Sequence, residues 1–305
     1  MATFHLPFGT GKLEAEIPDA RLAGVLQSKA HDFHPEAGES ALVRAALANP
    51  IASPPLHELV RGKNNIVIIS SDHTRPVPSK VILPEMVREI REGNPDAHIT
   101  VLLATGFHRL TTEAEMLQKY GEELYYHSGL NFVVHDSADS ENMVHLGTLP
   151  SGGALYINRI AAEADLLLSE GFIEPHFFAG FSGGRKSVLP GVSSRTTVMA
   201  NHCSAFIASP FARTGILEGN PIHKDMVWAA RRAGLAFIVN VVIDADKKVI
   251  AAFAGDLEKA HEKGCAFCDS LAGVDAVPAP IVVSTNGGYP PGPKNYPAVN
   301  GPPDA

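Results

Sequence analysis

The residues between 180 and 187, GFSGGRKS, place three glycines and a serine ahead of two basic side chains. A lysine in a glycine-rich turn usually binds phosphate, as in the nucleoside-triphosphate loop G-x-x-x-x-G-K-[ST]. The match fails by one residue, because Arg185 separates Gly184 from Lys186. Two interpretations stay open: the backbone N–H groups of these glycines hold a phosphate, or the run is a tight turn with solvated Arg185 and Lys186.

Three histidines are candidates for acid/base or metal chemistry. His108 lies in GFHR and His176 in EPHFF, each after a separate predicted strand, so both can face one cleft. His202, in MANHC, follows the glycine-rich run. Because imidazoles titrate near neutral pH and bind metals, the three suit paired acid/base work or a metal site, including that of a zinc-type hydrolase. A lone histidine is more often a satisfied core or surface group.

Asp72 and Arg75 stand in the segment SDHTRPVPSK, between a predicted strand and a predicted helix. An aspartate close to a helix start is often only an N-cap. Arg75 at the same place is suited to grip a carboxylate in a bidentate fork. The residues alone leave both interpretations open.

Short β-branched runs alternate with stretches of helical periodicity, which predicts an α/β fold with a mostly parallel sheet flanked by helices. The predicted strands are NIVIIS (65–70), ITVLLAT (99–105), NFVVHD (131–136), DLLLSE (165–170), AFIVNVVID (236–244) and IVVST (281–285). The predicted helices cover residues 79–93, 112–124, 220–234 and 256–272. Ligands bind such sheets at the carboxyl ends of the strands, which is where the candidate histidines, Asp72 and Lys186 fall.

The composition of the 305 residues is that of a globular protein, with 45% apolar and 19% charged residues. The formal charge of −8 argues against a nucleic-acid or membrane partner, since both need basic surfaces. With three cysteines and no apolar signal or membrane-spanning run, the sequence predicts a cytoplasmic protein without a disulfide framework. Cys265 and Cys268 have C-x-x-C spacing in a helical stretch, so buried thiols compete with a redox or metal role.

Several blocks together resemble the nickel-dependent lactate racemase family. SDHTRPVP, LLATGFHRLTTEAE, EPHFFAGFSGGRKSVLPGV, NHC and STNGGYP occur here in that family's order, from about residue 65 to the end. The resemblance implies two α/β domains with the active site between them. It also implies a nickel-pincer mononucleotide, a pyridinium ring with two sulfur-bearing arms, and hence a need for cofactor-biosynthesis proteins. The substrate it implies is a small 2-hydroxy acid such as lactate.

The same resemblance implies a role for each candidate residue. Lys186 would join covalently to the cofactor, and His202 would be the protein ligand of nickel, which soft donors and an imidazole suit. His108 and His176 would be the acid/base pair that takes and returns the hydroxyl proton while hydride moves reversibly to the cofactor. The remaining roles are binding ones: Ser182, Gly183, Gly184 and Asp72 toward the cofactor, Arg75 and Tyr296 toward the substrate.

The C-terminal stretch departs from the family pattern. Where the family has a substrate-binding glutamine and lysine, this chain has Pro297 and Asn300. We expect residues 1–275 to be the N-terminal cofactor-binding and catalytic domain. Residues 276–305 would be a linker and the first strand of a C-terminal domain that is largely missing. A site half open to water favours an alternative function, a cofactor- or nickel-binding fragment without turnover.

Overall fold

The computed structural model describes residues 1–284. Its strands are β1 (Ala2–Phe8), β2 (Gly11–Ile17), β3 (Asn65–Ser71), β4 (His98–Ala104), β5 (Asn131–Val134), β6 (Met143–Thr148), β7 (Ala154–Asn158), β8 (Leu166–Phe172), β9 (Pro175–His176), β10 (Gly180–Phe181), β11 (Leu235–Ile243) and β12 (Val249–Gly255). Its α-helices are α1 (Glu39–Ala48), α2 (Leu56–Leu59), α3 (Ser79–Gly93), α4 (Glu113–Tyr120), α5 (Arg159–Ala162), α6 (Arg195–Asn201), α7 (Ser204–Ile207), α8 (Pro221–Arg232) and α9 (Lys259–Ala272).

A six-stranded sheet forms the centre of the fold, in the order β12-β11-β8-β3-β4-β5. Its strands are parallel except β12, which runs antiparallel to β11. The predicted fold class, a mostly parallel sheet flanked by helices, is therefore confirmed. The chain proceeds outward from β3 to β4 and β5, and later from β8 to β11 on the other side. The direction of winding thus reverses between β3 and β8, and ligands bind α/β sheets at such a switch point.

Both faces of the sheet are buried, because alternate residues of each strand enter different cores. On β3, Ile66 and Ile68 pack with α1 to α4, whereas Val67 and Ile69 pack with α6, α8 and the β6–β7 hairpin. Burial on both faces explains why the central strands are apolar without alternating polar positions. The two helix layers leave the loops at the strand ends as the exposed edge of the domain.

The helix predicted over residues 112–124 ends early, at Tyr120. It begins with a capping box, in which the Thr112 hydroxyl accepts from the Glu115 N–H and the Glu115 carboxylate accepts from the Thr112 N–H. Gly121 then takes φ +79°, a conformation that ends an α-helix. A short π-helix follows over Glu123–His127, so the apolar periodicity continues while the α-helix does not.

The strand predicted over residues 281–285 does not form in its described part, and its place in a C-terminal domain stays a prediction. Residues 281–284 have no strand pairing, and Ile281, Val282 and Val283 are exposed. A strand needs a neighbour for its backbone hydrogen bonds, and the described residues provide none here. The division at residue 275 stays a prediction, and Tyr296, Pro297 and Asn300 lie outside the described residues.

The C-x-x-C pair is buried in α9, as its structural interpretation predicts. Cys265 and Cys268 are free thiols, and burial raises the pKa of each to about 12. Protonated thiols are poor nucleophiles and poor metal ligands, so the pair contributes to packing. Within residues 1–284, no helix has the length and apolar character needed to cross a membrane.

We expect Leu83→Ala, on the buried face of α3, to lower the free energy of unfolding by about 2–5 kcal/mol. Leu83 is 0% exposed, so the truncation leaves a cavity between α3 and the sheet. The matched control is Leu13→Ala on β2, where the side chain is 52% exposed and the expected change is within about 0.5 kcal/mol. Urea unfolding of both variants measures the difference, and equal losses would contradict this assignment of the core.

Candidate functional site

A cleft of about 320 Å³ lies at the carboxyl ends of β3, β4 and β8. It therefore sits at the switch point of the sheet. The structure brings most of the predicted site residues to it: Asp72, Arg75, His108, His176, Ser182, Gly183, Lys186 and His202. Gly184 does not line the cleft.

Asp72 and His108 form a hydrogen-bonded pair on one side of the cleft. The Asp72 carboxylate is 1% exposed and its Oδ2 lies 2.6 Å from His108 Nδ1. Its other oxygen accepts from the N–H and the hydroxyl of Thr74, at 3.1 and 2.7 Å. Nδ1 of His108 therefore carries a proton, and in the neutral form of the ring Nε2 is a lone-pair nitrogen.

The charge of Asp72 is maintained by its neighbours. Burial raises the pKa of Asp72, but the hydrogen bond and charge of His108, together with Thr74 and Arg75, outweigh burial and lower that pKa below its usual value. The N-cap interpretation of Asp72 is wrong, because α3 begins at Ser79 with Pro78 at its N-cap position. Arg75, by contrast, is exposed and lines the cleft.

Glu170 anchors the loop that carries Asp72 and Arg75, and the sequence analysis missed it. Its Oε1 accepts from the hydroxyls of Ser70 and Ser79, at 2.5 and 2.8 Å. These two serines precede and follow the β3–α3 loop, so one buried carboxylate oxygen ties its ends together. The only signal in the sequence was an acidic residue at the end of an otherwise apolar strand.

His176 faces the Asp72–His108 pair from the loop after β8. Its Nδ1 accepts from the backbone N–H groups of Ala179 and Phe178, at 3.2 and 3.4 Å, and its ring stacks on Phe177. Its Nε2 lies 3.3 Å from Lys186 Nζ. Burial, followed by nearby cationic side chains, lowers the pKa of His176 well below its usual value. His176 is therefore a neutral ring at neutral pH.

The glycine-rich run directs its polar groups into the protein. The Ser182 N–H donates to the Glu174 carbonyl, and the Gly184 N–H donates to Asn240 Oδ1 at 2.7 Å. The Ser182 hydroxyl accepts from the Glu174 N–H and donates to the Phe172 carbonyl. These contacts do not support a phosphate cradle at Ser182 or Gly184. A contact between these residues and a cofactor stays a prediction.

The first five residues of the glycine-rich run, GFSGG (180–184), also fit the G-x-S-x-G pattern of serine hydrolases. That pattern requires the serine hydroxyl to meet a general base. The two described partners of the Ser182 hydroxyl are backbone groups instead. The geometry therefore gives no support to a serine nucleophile.

Arg185 is buried, so its interpretation as a solvated turn residue is wrong. The side chain is 1% exposed and donates to the carbonyls of Ala179 and Phe181, at 2.6 and 2.8 Å. Its Nε also donates to His223 Nδ1 at 3.0 Å. Burial lowers the pKa of Arg185 to about 10, which still leaves the guanidinium charged at neutral pH. This cation holds the loop in shape by binding its carbonyls.

Lys186 follows Arg185 and points in the other direction, into the cleft. The side chain is half-buried, and its Nζ lies 5.7 Å from the centre of the Phe178 ring. Burial, then the charges of Arg185 and Arg75, lower the pKa of Lys186 well below its usual value. The amine is therefore unusually easy to deprotonate, which a lysine that forms an amide-type bond requires.

His202 lies at the C-terminal end of α6, with its ring edge against Phe178. Burial lowers the pKa of His202 to about 4. Its Nδ1 is buried and has no hydrogen-bond partner in the described part of the chain. A neutral imidazole with an orphaned nitrogen fits a single ligand for a metal that arrives with its own donors.

A metal site built from protein side chains alone is not supported. Residues 1–284 contain no group of three or more His, Cys, Asp or Glu side chains that could hold a metal ion. His108, His176 and His202 line one cleft without forming such a group. The zinc-type hydrolase hypothesis therefore lacks its ligand set.

Comparison with known proteins identifies the family of the chain. Residues 8–215 match the model of the lactate racemase N-terminal domain. The chain belongs to the lactate racemase family. It is 56% identical over 301 residues to the curated lactate racemases of Thermoanaerobacterium thermosaccharolyticum and Lactiplantibacillus plantarum. These matches cover 99% of this chain and 70% of each relative.

Solved structures agree with the membership of the lactate racemase family. The lactate racemase apoprotein from T. thermosaccharolyticum superposes with a TM-score of 0.88 at 57% identity, covering 95% of this chain and 67% of that one. A protein from Thermotoga maritima matches with a TM-score of 0.65 at 23% identity, covering 78% of this chain and 61% of that one. The second likeness concerns the fold alone. The family predicted from the ordered motifs is confirmed.

We expect Asp72→Asn to lower the free energy of unfolding by about 1.5–3 kcal/mol between pH 5 and 7, because a charged acceptor is lost. Since the folded-state pKa of Asp72 is depressed below 3.8, the carboxylate stabilises the fold fully above the unfolded-state value. That stabilisation is lost as the pH falls through the folded-state pKa. Urea unfolding of the parent protein and the variant at several pH values measures the difference in the free energy of unfolding. A difference that stays constant down to about pH 2 would contradict the assignment.

We expect Gly184→Ala to destabilise the protein more than Gly129→Ala does. Both glycines have positive φ, +52° and +71°, so each alanine carries a backbone cost of about 1–2 kcal/mol. At Gly184 the new Cβ would lie 2.8 Å from the His261 ring, whereas at Gly129 nothing lies within 4 Å. Overpacking should add about 1–3 kcal/mol at Gly184. Thermal and urea unfolding compare the two, and equal losses would refute the packing role.

Proposed function

We propose that this chain is the catalytic part of a racemase of lactate-like 2-hydroxy acids. The observation that carries the proposal is the convergence of His108, His176, Lys186 and His202 on one cleft, in a chain 56% identical to curated lactate racemases. An α-hydroxy acid has a C–H bond of very low acidity. Its inversion therefore needs a base for the hydroxyl proton together with an acceptor for the hydrogen on carbon.

His108 is the side chain best prepared to accept the hydroxyl proton. The hydrogen bond from Nδ1 to Asp72 leaves Nε2 with a lone pair, and the carboxylate stabilises the imidazolium that forms. The side chain of His108 is 38% exposed, so Nε2 can be reached by a small acid. The same nitrogen can return the proton when the reaction reverses.

Arg75 is suited to bind the substrate carboxylate. Its guanidinium is exposed at the cleft, three residues beyond Asp72, and can offer a bidentate fork. A carboxylate held there would place the adjacent hydroxyl in the region that His108 and His176 line. His176 would be the second acid/base group, and its Nε2–H can donate to the substrate oxygen. Tyr296, the other proposed substrate contact, lies outside the described residues.

The residues present fit a nickel-pincer mononucleotide. Lys186 offers a cleft-facing amine for the covalent bond, and His202 offers a neutral imidazole with an orphaned nitrogen as metal ligand. When bound, the cofactor would accept the α-hydrogen of the substrate as hydride and give it back. Cofactor-biosynthesis proteins would be required partners. The alternative is a fragment that binds cofactor or nickel without turnover, and the same experiment distinguishes the two.

The test is inversion of a single enantiomer of lactate by protein made together with the cofactor-building enzymes. Intact mass and peptide mapping of residues 171–195 first establish an adduct on Lys186. Chiral analysis of the acid then measures turnover, with malate and related 2-hydroxy acids as further substrates. Adduct with inversion supports the racemase, whereas adduct without inversion of any acid would favour the binding fragment.

We expect His108→Gln to lower kcat by about 10²–10⁴-fold in the loaded protein, because a positioned acid/base group contributes that much. His127→Gln is the matched control, since His127 is an exposed histidine of the π-helix, outside the cleft. The control should keep the adduct and the turnover of the parent protein. Equal turnover of the two variants would remove His108 from the acid/base role.

A further inference from the structure

The contact between His176 and Lys186 fixes which partner carries the hydrogen. His176 Nδ1 is the acceptor of two backbone N–H groups, from Ala179 and Phe178. A nitrogen that accepts a hydrogen bond does so with its lone pair, so Nδ1 carries no proton. In a neutral imidazole the proton must then be on Nε2, the nitrogen that faces Lys186 Nζ at 3.3 Å.

Lys186 must therefore be the acceptor in this contact. An ammonium group has three N–H donors and no lone pair. Beside Nε2–H it would bring two donors together with no acceptor between them. A neutral amine has a lone pair and completes the hydrogen bond. We propose that His176 Nε2–H holds Lys186 as a neutral amine in the cofactor-free protein, and that the Nζ lone pair becomes available for acylation by an activated carboxyl or thiocarboxyl group when this hydrogen bond opens. This rests on the proposed role of Lys186 as the covalent attachment point.

The chemistry of such an acylation needs no further reagent. The amine nitrogen forms a bond to the carbonyl or thiocarbonyl carbon of an activated acyl donor. The leaving group of that donor departs with its bonding electrons. The nitrogen gives up one proton to solvent and becomes an amide or thioamide. His176 acts here as a positioning residue and accepts no proton: its Nε2–H keeps Nζ neutral until the hydrogen bond opens, and the freed lone pair then forms the new bond.

The surroundings of Lys186 favour the neutral form on balance: burial, Arg185 and Arg75 lower its pKa, whereas Glu174 alone raises it. Arg185, its neighbour in sequence, is a buried guanidinium whose described partners are carbonyls and imidazoles. A second cation beside it is unfavourable, and half-burial in the cleft removes part of its hydration. The Phe178 ring, 5.7 Å from Nζ, adds apolar surface on one side.

His108 provides an internal comparison for the test. Its Nδ1 donates to Asp72, so its proton is on Nδ1, the opposite of His176. The two histidines of one cleft should therefore show different tautomers in the same sample. Nitrogen NMR distinguishes them, because protonated and lone-pair ring nitrogens have different shifts and different couplings to the ring hydrogens.

The first experiment is ¹⁵N-histidine NMR of the full chain made without the cofactor-building enzymes, at neutral pH. His176→Gln and His108→Gln assign the signals. We expect Nε2–H for His176 and Nδ1–H for His108. Lys186→Met should leave the His176 tautomer unchanged, since backbone N–H groups set it. A His176 ring protonated at Nδ1 would overturn the proposal.

The second experiment is trace acetylation of the same protein at pH 7 with acetic anhydride, followed by peptide mapping. An ordinary lysine has a pKa near 10.4, so only about one molecule in 2,500 is neutral at pH 7. We expect Lys186 to react at least tenfold faster than Lys12, which is exposed on β2. An excess of less than tenfold would overturn the claim that Lys186 is held as a neutral amine.

Both measurements are independent of racemisation. If the loaded protein inverts lactate but His176 is protonated at Nδ1, the proposed function stands and this inference fails. If the tautomer and the reactivity are as expected but no acid is inverted, the amine is prepared for a cofactor and the chain lacks turnover.

Discussion

The buried guanidinium of Arg185 is the constraint on which the cleft depends. It binds the carbonyls of Ala179 and Phe181, which folds the loop after β8 back on itself. The N–H of Ala179 then points at His176 Nδ1, and Lys186 projects into the cleft beside His176 Nε2. A charge buried among carbonyls is costly unless its donors are satisfied, so the loop has little freedom to rearrange. One side chain thus sets the position of two others.

The opposite wall depends on a second buried polar side chain, the carboxyl group of Glu170 on β8. It binds hydroxyls on both sides of the β3–α3 loop, which carries Asp72. Glu170 on β8 anchors one wall of the cleft, and Arg185 in the segment after β8 anchors the other. β8 is the neighbour of β3 at the switch point. The position of His108 relative to His176 therefore follows from sheet geometry.

The sequence allowed the sheet and the cleft residues to be predicted, but not their partners. Apolar β-branched runs such as 65–70 must be buried on both faces, and the residues after parallel strands share one edge. One of the two interpretations of the glycine-rich run placed Arg185 in solvent. Arginine is rarely buried, and nothing in the local sequence shows that carbonyls of its own loop would surround it. The Asp72–His108 hydrogen bond joins residues 36 positions apart, so local spacing could not reveal it.

The cleft is electrically asymmetric. His108 has a carboxylate that stabilises its charged form, whereas the described contacts of His176 are backbone N–H groups and Lys186. A racemase must serve two mirror-image substrates whose equilibrium constant is one. Unequal histidines cannot change that equilibrium. They change the relative populations of the two enzyme-bound enantiomers. An asymmetric pair is therefore compatible with racemisation, and it leaves His176 Nε2 able to contact Lys186.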